Sequence, residues 1–202
     1  MSMTANFSMP CGTYVFRGTL KTGPPVAIKR LGTNLPHQEF LTKVSTIFGL
    51  KHENVVKLLH YCADNDQHFL VYEFAQQGSL YNILYGGRGI EPEPRPALSW
   101  AQRIRIGVGA ARGLRYLHEK NLMHYMIASD NVSVFDDVNR LLRTVSVHEI
   151  VDAKLKADYP PRAAERMAEI ACSCLQFPSN LSPEMSEVLN SLEELLPLDS
   201  QS

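Results

Sequence analysis

Thr13-Tyr14-Val15-Phe16-Arg17-Gly18-Thr19-Leu20 and Val26-Ala27-Ile28-Lys29-Arg30-Leu31 flank the turn Thr22-Gly23-Pro24-Pro25. β-branched and aromatic residues fill both runs, and Gly and Pro punctuate the step between them. That arrangement predicts a β-hairpin. Downstream, Phe40, Val44, Ile47 and Phe48 recur at helical spacing over 36–49. Two more strand-like runs follow, Val55–Tyr61 and His68–Phe74. The first 75 residues therefore read as a small antiparallel sheet with one helix on it.

Beyond this sheet the period changes. Gly78-Ser79-Leu80 opens a short helix, and residues 86–97, rich in Gly, Pro and Arg, read as a loop. Ser99 with Gln102 three residues on is a capping box. The helix behind it places Trp100, Ile104, Val108, Ala111, Leu114 and Leu117 on one stripe. Ala163, Met167, Ile170, Ala171 and Cys174 form a second stripe. Ser182 with Pro183 reads as the start of a last helix carrying Met185, Val188, Leu189, Leu192 and Leu196. Such stripes need an apolar partner, and folding of 161–196 back onto 99–119 supplies one.

A 202-residue chain with 45% hydrophobic and 20% charged residues supports real cores. The net charge of −1 lacks the Lys/Arg clustering of a nucleic-acid or anionic-membrane surface. No signal peptide, no Gly at position 2 and no apolar run of about 18 residues is visible, which points to an intracellular, cytoplasmic chain without a membrane span. Cys11, Cys62, Cys172 and Cys174 lack metal-ligand spacing and read as reduced thiols.

Several strings, in order, resemble a protein kinase. They are Val26-Ala27-Ile28-Lys29, the stretch Leu70–Leu80, the helix with Gly109-Ala110-Ala111-Arg112-Gly113-Leu114, and His124-Tyr125-Met126-Ile127-Ala128-Ser129-Asp130-Asn131. The wording resembles the plant receptor-like cytoplasmic kinases of the Pto-interacting type. Gln38–Leu41, Leu50–Val56, Leu98–Arg103 and Val151–Ala153 continuing to Asp158–Pro161 carry that likeness. The resemblance implies an α+β, kinase-like fold: a small antiparallel β lobe with one helix, and an incomplete, mainly helical large lobe. Its segments are an N-terminal extension (1–11), the small lobe (12–75), a hinge and short helix (76–85), a loop (86–97), the long helix and a degenerate catalytic loop (98–137), a junction replacing the activation segment (138–160), and C-terminal helices (161–197).

Carried over residue by residue, the resemblance implies an inherited nucleotide site. Val15 and Ala27 roof the adenine, Lys29 meets the α- and β-phosphates, Tyr72 is the gatekeeper, and the backbone of Glu73 and Ala75 bonds adenine. The departures are as informative. Only Gly12 remains of the Gly-rich loop. Lys43 stands where a partner for Lys29 is expected, leaving Glu39, one turn earlier, as the available substitute. Ser133 replaces a leucine of the adenine floor. Met126 replaces the catalytic Asp, and a thioether cannot accept a proton from a substrate hydroxyl. Ala128 replaces the phosphate-steering Lys. Asn131 matches one magnesium ligand, but no Asp-Phe-Gly follows, and one carboxamide cannot hold Mg²⁺. The activation segment and its Ala-Pro-Glu end are missing. Ser182 stands where an Arg pairs with that Glu, so both halves of a buried pair are gone together.

The expectation is a protein-kinase-like chain with no catalytic and no metal residues, weak or absent ATP/Mg binding, and protein partners such as other kinases or receptor kinases. An active Ser/Thr kinase is the alternative, with a substitute base and metal ligand among Asp130, Asp136 and Asp137. A non-functional gene remnant is the third reading.

Overall fold

The β-hairpin forms from β2 (Tyr14–Thr19) and β3 (Pro25–Leu31), with Gly23 at its tip holding φ +144, a conformation open to glycine. The computed structural model describes residues 2–8, 14–20, 23–31, 36–64, 67–85, 97–122, 129, 131–135, 153–155, 158–176 and 179–196. The expectations for Gly12, the loop 86–96, His124–Ala128, Asp130, Asp136, Asp137 and the stretch 138–152 lie outside them. The chain divides into two units, residues 1–75 and 76–202.

The first unit is a five-stranded antiparallel sheet in the order β1-β2-β3-β5-β4. Its β4 (Leu58–Asp64) and β5 (Gln67–Glu73) form the second hairpin. Strand β4 begins at Leu58, not at Val55. Residues 53–55 are taken by a turn, closed by Val55 N–H donating to the His52 carbonyl. One element has no counterpart in the expectations. Ser2–Ser8, read above as an extension, is strand β1, paired with β2 and bulged between Ala5 and Phe7. It covers backbone groups of β2 that would otherwise be an open sheet edge.

The two faces of this sheet bury different sets. Val26, Ile28 and Val71 pack with Phe16, Leu20, Leu59 and Phe69 on one. On the other, helix α1 (His37–Phe48) presses Phe40 and Val44 against Leu58 and Leu70. Phe40 also stacks on the His68 ring, 4.2 Å between centroids.

In the second unit, Gly78–Ser79 (β6) pairs with Ser133–Val134 (β7). Gly78 turns with φ +77. Helix α2 (Leu80–Tyr85) follows. Helix α3 (Trp100–Glu119) starts on the capping box: the Ser99 hydroxyl accepts from Gln102 N–H at 3.2 Å, and the Gln102 carboxamide oxygen accepts from Ser99 N–H at 3.0 Å. Replacing Ser99 with Ala is expected to lower the stability of this unit by about 1 kcal/mol, read as a shift in urea midpoint at constant slope. Helix α3 ends in a Schellman cap. Asn121 holds φ 56, its N–H reaches the His118 carbonyl, and Leu122 N–H reaches that of Leu117.

Helices α4 (Pro161–Cys174) and α5 (Met185–Glu193) supply the partners that the α3 stripe requires. Trp100, Ile104, Val108 and Ala111 share one core with Leu155, Ala164, Met167, Ile170, Val188, Leu189 and Leu192. Arg112 of α3 clamps Glu193 of α5 through Nε and Nη2, at 3.1 and 2.7 Å. Two details correct the sequence reading. The buried stripe of α4 runs through Ala164, Met167 and Ile170 and leaves Cys174 exposed, one turn beyond the last of them. The cap of α5 is not Ser182: Glu184 and Glu187 form the capping box, and Ser182 and Pro183 precede the helix. A carboxylate two residues nearer the helix wins because it meets the exposed N–H groups and the positive end of the dipole together.

Candidate functional site

Of the residues assigned to the nucleotide site, Val15, Ala27, Lys29 and Tyr72 fall on one face of the first unit's sheet. Directly opposed residues in an antiparallel ladder project to the same side. Val15 opposes Lys29, Lys29 opposes Leu70, and Ala27 opposes Tyr72. Val15, Ala27, Lys29 and Tyr72 are thus brought together on the face that also carries α1. Burial of Tyr72 there pushes its phenol above the ordinary tyrosine value.

Glu73 opposes Val26, so its side chain belongs to the other face. Its N–H donates to the Lys57 carbonyl at 3.2 Å, and its carboxylate accepts from Lys57 N–H at 3.1 Å. These bonds fix the end of β5. Ala75 follows the strand, and among the described residues its N–H has no acceptor. A free backbone donor next to a fixed strand end is a usable hydrogen-bonding group for a flat heterocycle.

Around Lys29 the electrostatics differ from the inherited pattern. Lys29 is half-buried and makes no ion pair among the described residues. Glu39, its available substitute partner, is instead bonded to Lys43 at 2.5 Å across one turn of α1, with both side chains about half exposed. An exposed pair of this kind is worth roughly 0.3–0.5 kcal/mol. Lys43, which stands where a partner for Lys29 is expected, thus engages the residue left as that partner's substitute. The i, i+4 spacing of the two was the available signal.

In the second unit, Ser133 starts β7 between buried Val132 and Val134, and Asn131 is half-buried and engaged within the fold. Three main-chain bonds hold this stretch: Gln77 N–H to Val134 O, Leu80 N–H to Val132 O, and Tyr81 N–H to Ser129 O, at 3.2, 2.8 and 2.9 Å. Lys154, beyond the junction, donates to the Leu84 carbonyl at the end of α2, a favourable place for a cation. A cleft of about 420 Å³ lies at the start of α3, between Ser99–Ala101 and Asp158–Pro160, and none of the residues named for the nucleotide site lines it. Among the described residues no helix is long and apolar enough to cross a membrane.

Residues 10–140 match the family described as protein tyrosine and serine/threonine kinase. A probable receptor-like protein kinase of Arabidopsis thaliana is 33% identical to this chain, over 92% of it and 74% of the relative. PTI1-like tyrosine-protein kinase 3 of the same plant is 32% identical, over 92% and 67%. The nodulation receptor kinase of Pisum sativum is 42% identical, over 58% of this chain and 13% of its own length. The first alignment is 272 residues long against 202 in this chain, so at least 70 positions of that relative have no counterpart here.

Proposed function

The chain belongs to the protein tyrosine and serine/threonine kinase family, and from that premise we propose that it is a member without phosphoryl-transfer activity, acting as a binding or regulatory partner of other kinases, receptor kinases among them. The observation that carries this reading is Met126 at the position of the catalytic carboxylate. No proton acceptor stands there, and kinase catalysis otherwise consists of positioning and charge stabilisation.

Other departures support the reading. Among the described residues Lys29 has no carboxylate to orient it, since Glu39 is engaged with Lys43. The donor set does not fit Mg²⁺, which takes carboxylate and phosphate oxygens in octahedral array. Asn131 is the one family-matching donor, and no Asp-Phe-Gly follows it. The positions missing relative to the receptor-like kinase agree with the loss of an activation segment. The face bearing Val15, Ala27 and Lys29, with the Ala75 N–H beside it, favours a retained but weak contact with the adenine base alone.

Addition of millimolar Mg-ATP is expected to shift the Tm of the purified chain by less than about one degree, because stabilisation by a ligand scales as RT ln(1 + [L]/Kd). A shift of several degrees that disappears in Lys29→Met would establish a working nucleotide site and remove one support of this reading.

A further inference from the structure

Ser182-Pro183 precedes α5 without capping it, since Glu184 forms the capping box in its place. We propose that Ser182 is a phosphoacceptor for a proline-directed Ser/Thr kinase, and that the phosphate loosens α5 from the helical core.

The local backbone suits this. A residue before proline is kept out of the helical region by the proline ring. Ser182 accordingly sits in a non-helical connection between the 3₁₀ turn Ser179–Leu181 and α5. Asn180, Leu181 and Glu184 around it are exposed, Leu181 at 60%. Among the described residues its half-buried hydroxyl makes one long contact, 3.5 Å to the Cys174 carbonyl, where a good hydroxyl bond is about 2.7–2.8 Å. Releasing it costs little. In the transfer, Ser182 Oγ bonds to the γ-phosphorus of ATP, the bond to the bridging oxygen of ADP breaks, and the hydroxyl proton passes to the base of the modifying kinase.

Two effects then compete. A helix N-terminus carries roughly +0.5 charge and attracts a phosphate. That charge is already exceeded by the carboxylates of Glu184 and Glu187, which occupy the N-terminal donors. A further charge of about −2 at Ser182 meets net repulsion. No basic side chain stands in the last turn of α4 to offset it. The repelled turn leads directly into Val188, Leu189 and Leu192 of the core and into Glu193, which holds Arg112.

The test uses the full chain, a proline-directed Ser/Thr kinase and γ-labelled ATP, with a reaction lacking the added kinase as background. Label is expected on the wild type and absent from both Ser182→Ala and Pro183→Ala. Ser182→Ala keeps the wild-type Tm, which shows that the loss is not misfolding. The phosphorylated chain melts several degrees lower, and 1 M salt reduces the difference. No incorporation, or label that persists in Ser182→Ala, overturns the site. Full incorporation with an unchanged Tm overturns the loosening. Neither result depends on whether the chain itself transfers phosphate.

Discussion

Incubated with Mg-ATP and a mixture of Ser/Thr and Tyr acceptor peptides, the purified chain transfers no label above a Lys29→Met control. The expected deficit from the missing base alone is about 10²–10⁴-fold. Met126→Asp is expected not to recover the activity, because no Asp-Phe-Gly follows Asn131 to supply a second metal ligand. A chain with two independent deficits responds to neither repair singly. Labelled product that falls to background in Lys29→Met would sink the inactive reading. Recovery in Met126→Asp would show instead that a metal ligand exists elsewhere in the chain. Asp130, Asp136 and Asp137 are then the residues to change next.

The largest stability effect is expected at Ile104. Its side chain is fully buried in the core that α3 shares with α4 and α5. Ile104→Ala should cost about 2–5 kcal/mol, the lost transfer energy plus the cavity left behind. That is a large share of the 5–15 kcal/mol that typically stabilises a domain. The chain has a single tryptophan, Trp100, in the same core. Urea unfolding followed by its fluorescence therefore reports on this helical unit directly. A midpoint that falls steeply at unchanged slope is the expected result. A midpoint within the error of wild type would mean that the three helices do not unfold as one cooperative body.

The elements legible in the sequence were those decided by near neighbours. The hairpin around Gly23, the Ser99–Gln102 capping box and the stripe Trp100–Ile104–Val108–Ala111 each follow from residues within a few positions. Val15, Ala27 and Lys29 were named through the family resemblance alone, and their common face comes from the register of the hairpin. What escaped depends on distant or competing groups. Strand β1 exists because β2 presents an edge to cover, not because Ser2–Ser8 has a strong β pattern. Ser182 met every local rule for a cap, but Glu184 competed for the same donors from a better place. Lys43 stands where a partner for Lys29 is expected, while Glu39, four residues away on the same helix, took it. The bond from Lys154 to the Leu84 carbonyl spans 70 residues, and no pattern within the junction announces it.

The anchors on either side of residues 123–128 are main-chain bonds. The Schellman cap at Asn121 and Leu122 holds one side, and the bonds from Leu80 and Tyr81 to Val132 and Ser129 hold the other. Amide and carbonyl groups are the same in every residue, so these bonds are indifferent to the side chains of the residues that accept them. A substitution at Ser129 or Val132 therefore leaves the carbonyl that accepts the bond in place, unlike one at a core position such as Ile104, where the side chain itself does the packing. A main-chain tie of this kind keeps its partners in register through changes of side chain that a packed core would register as a cavity.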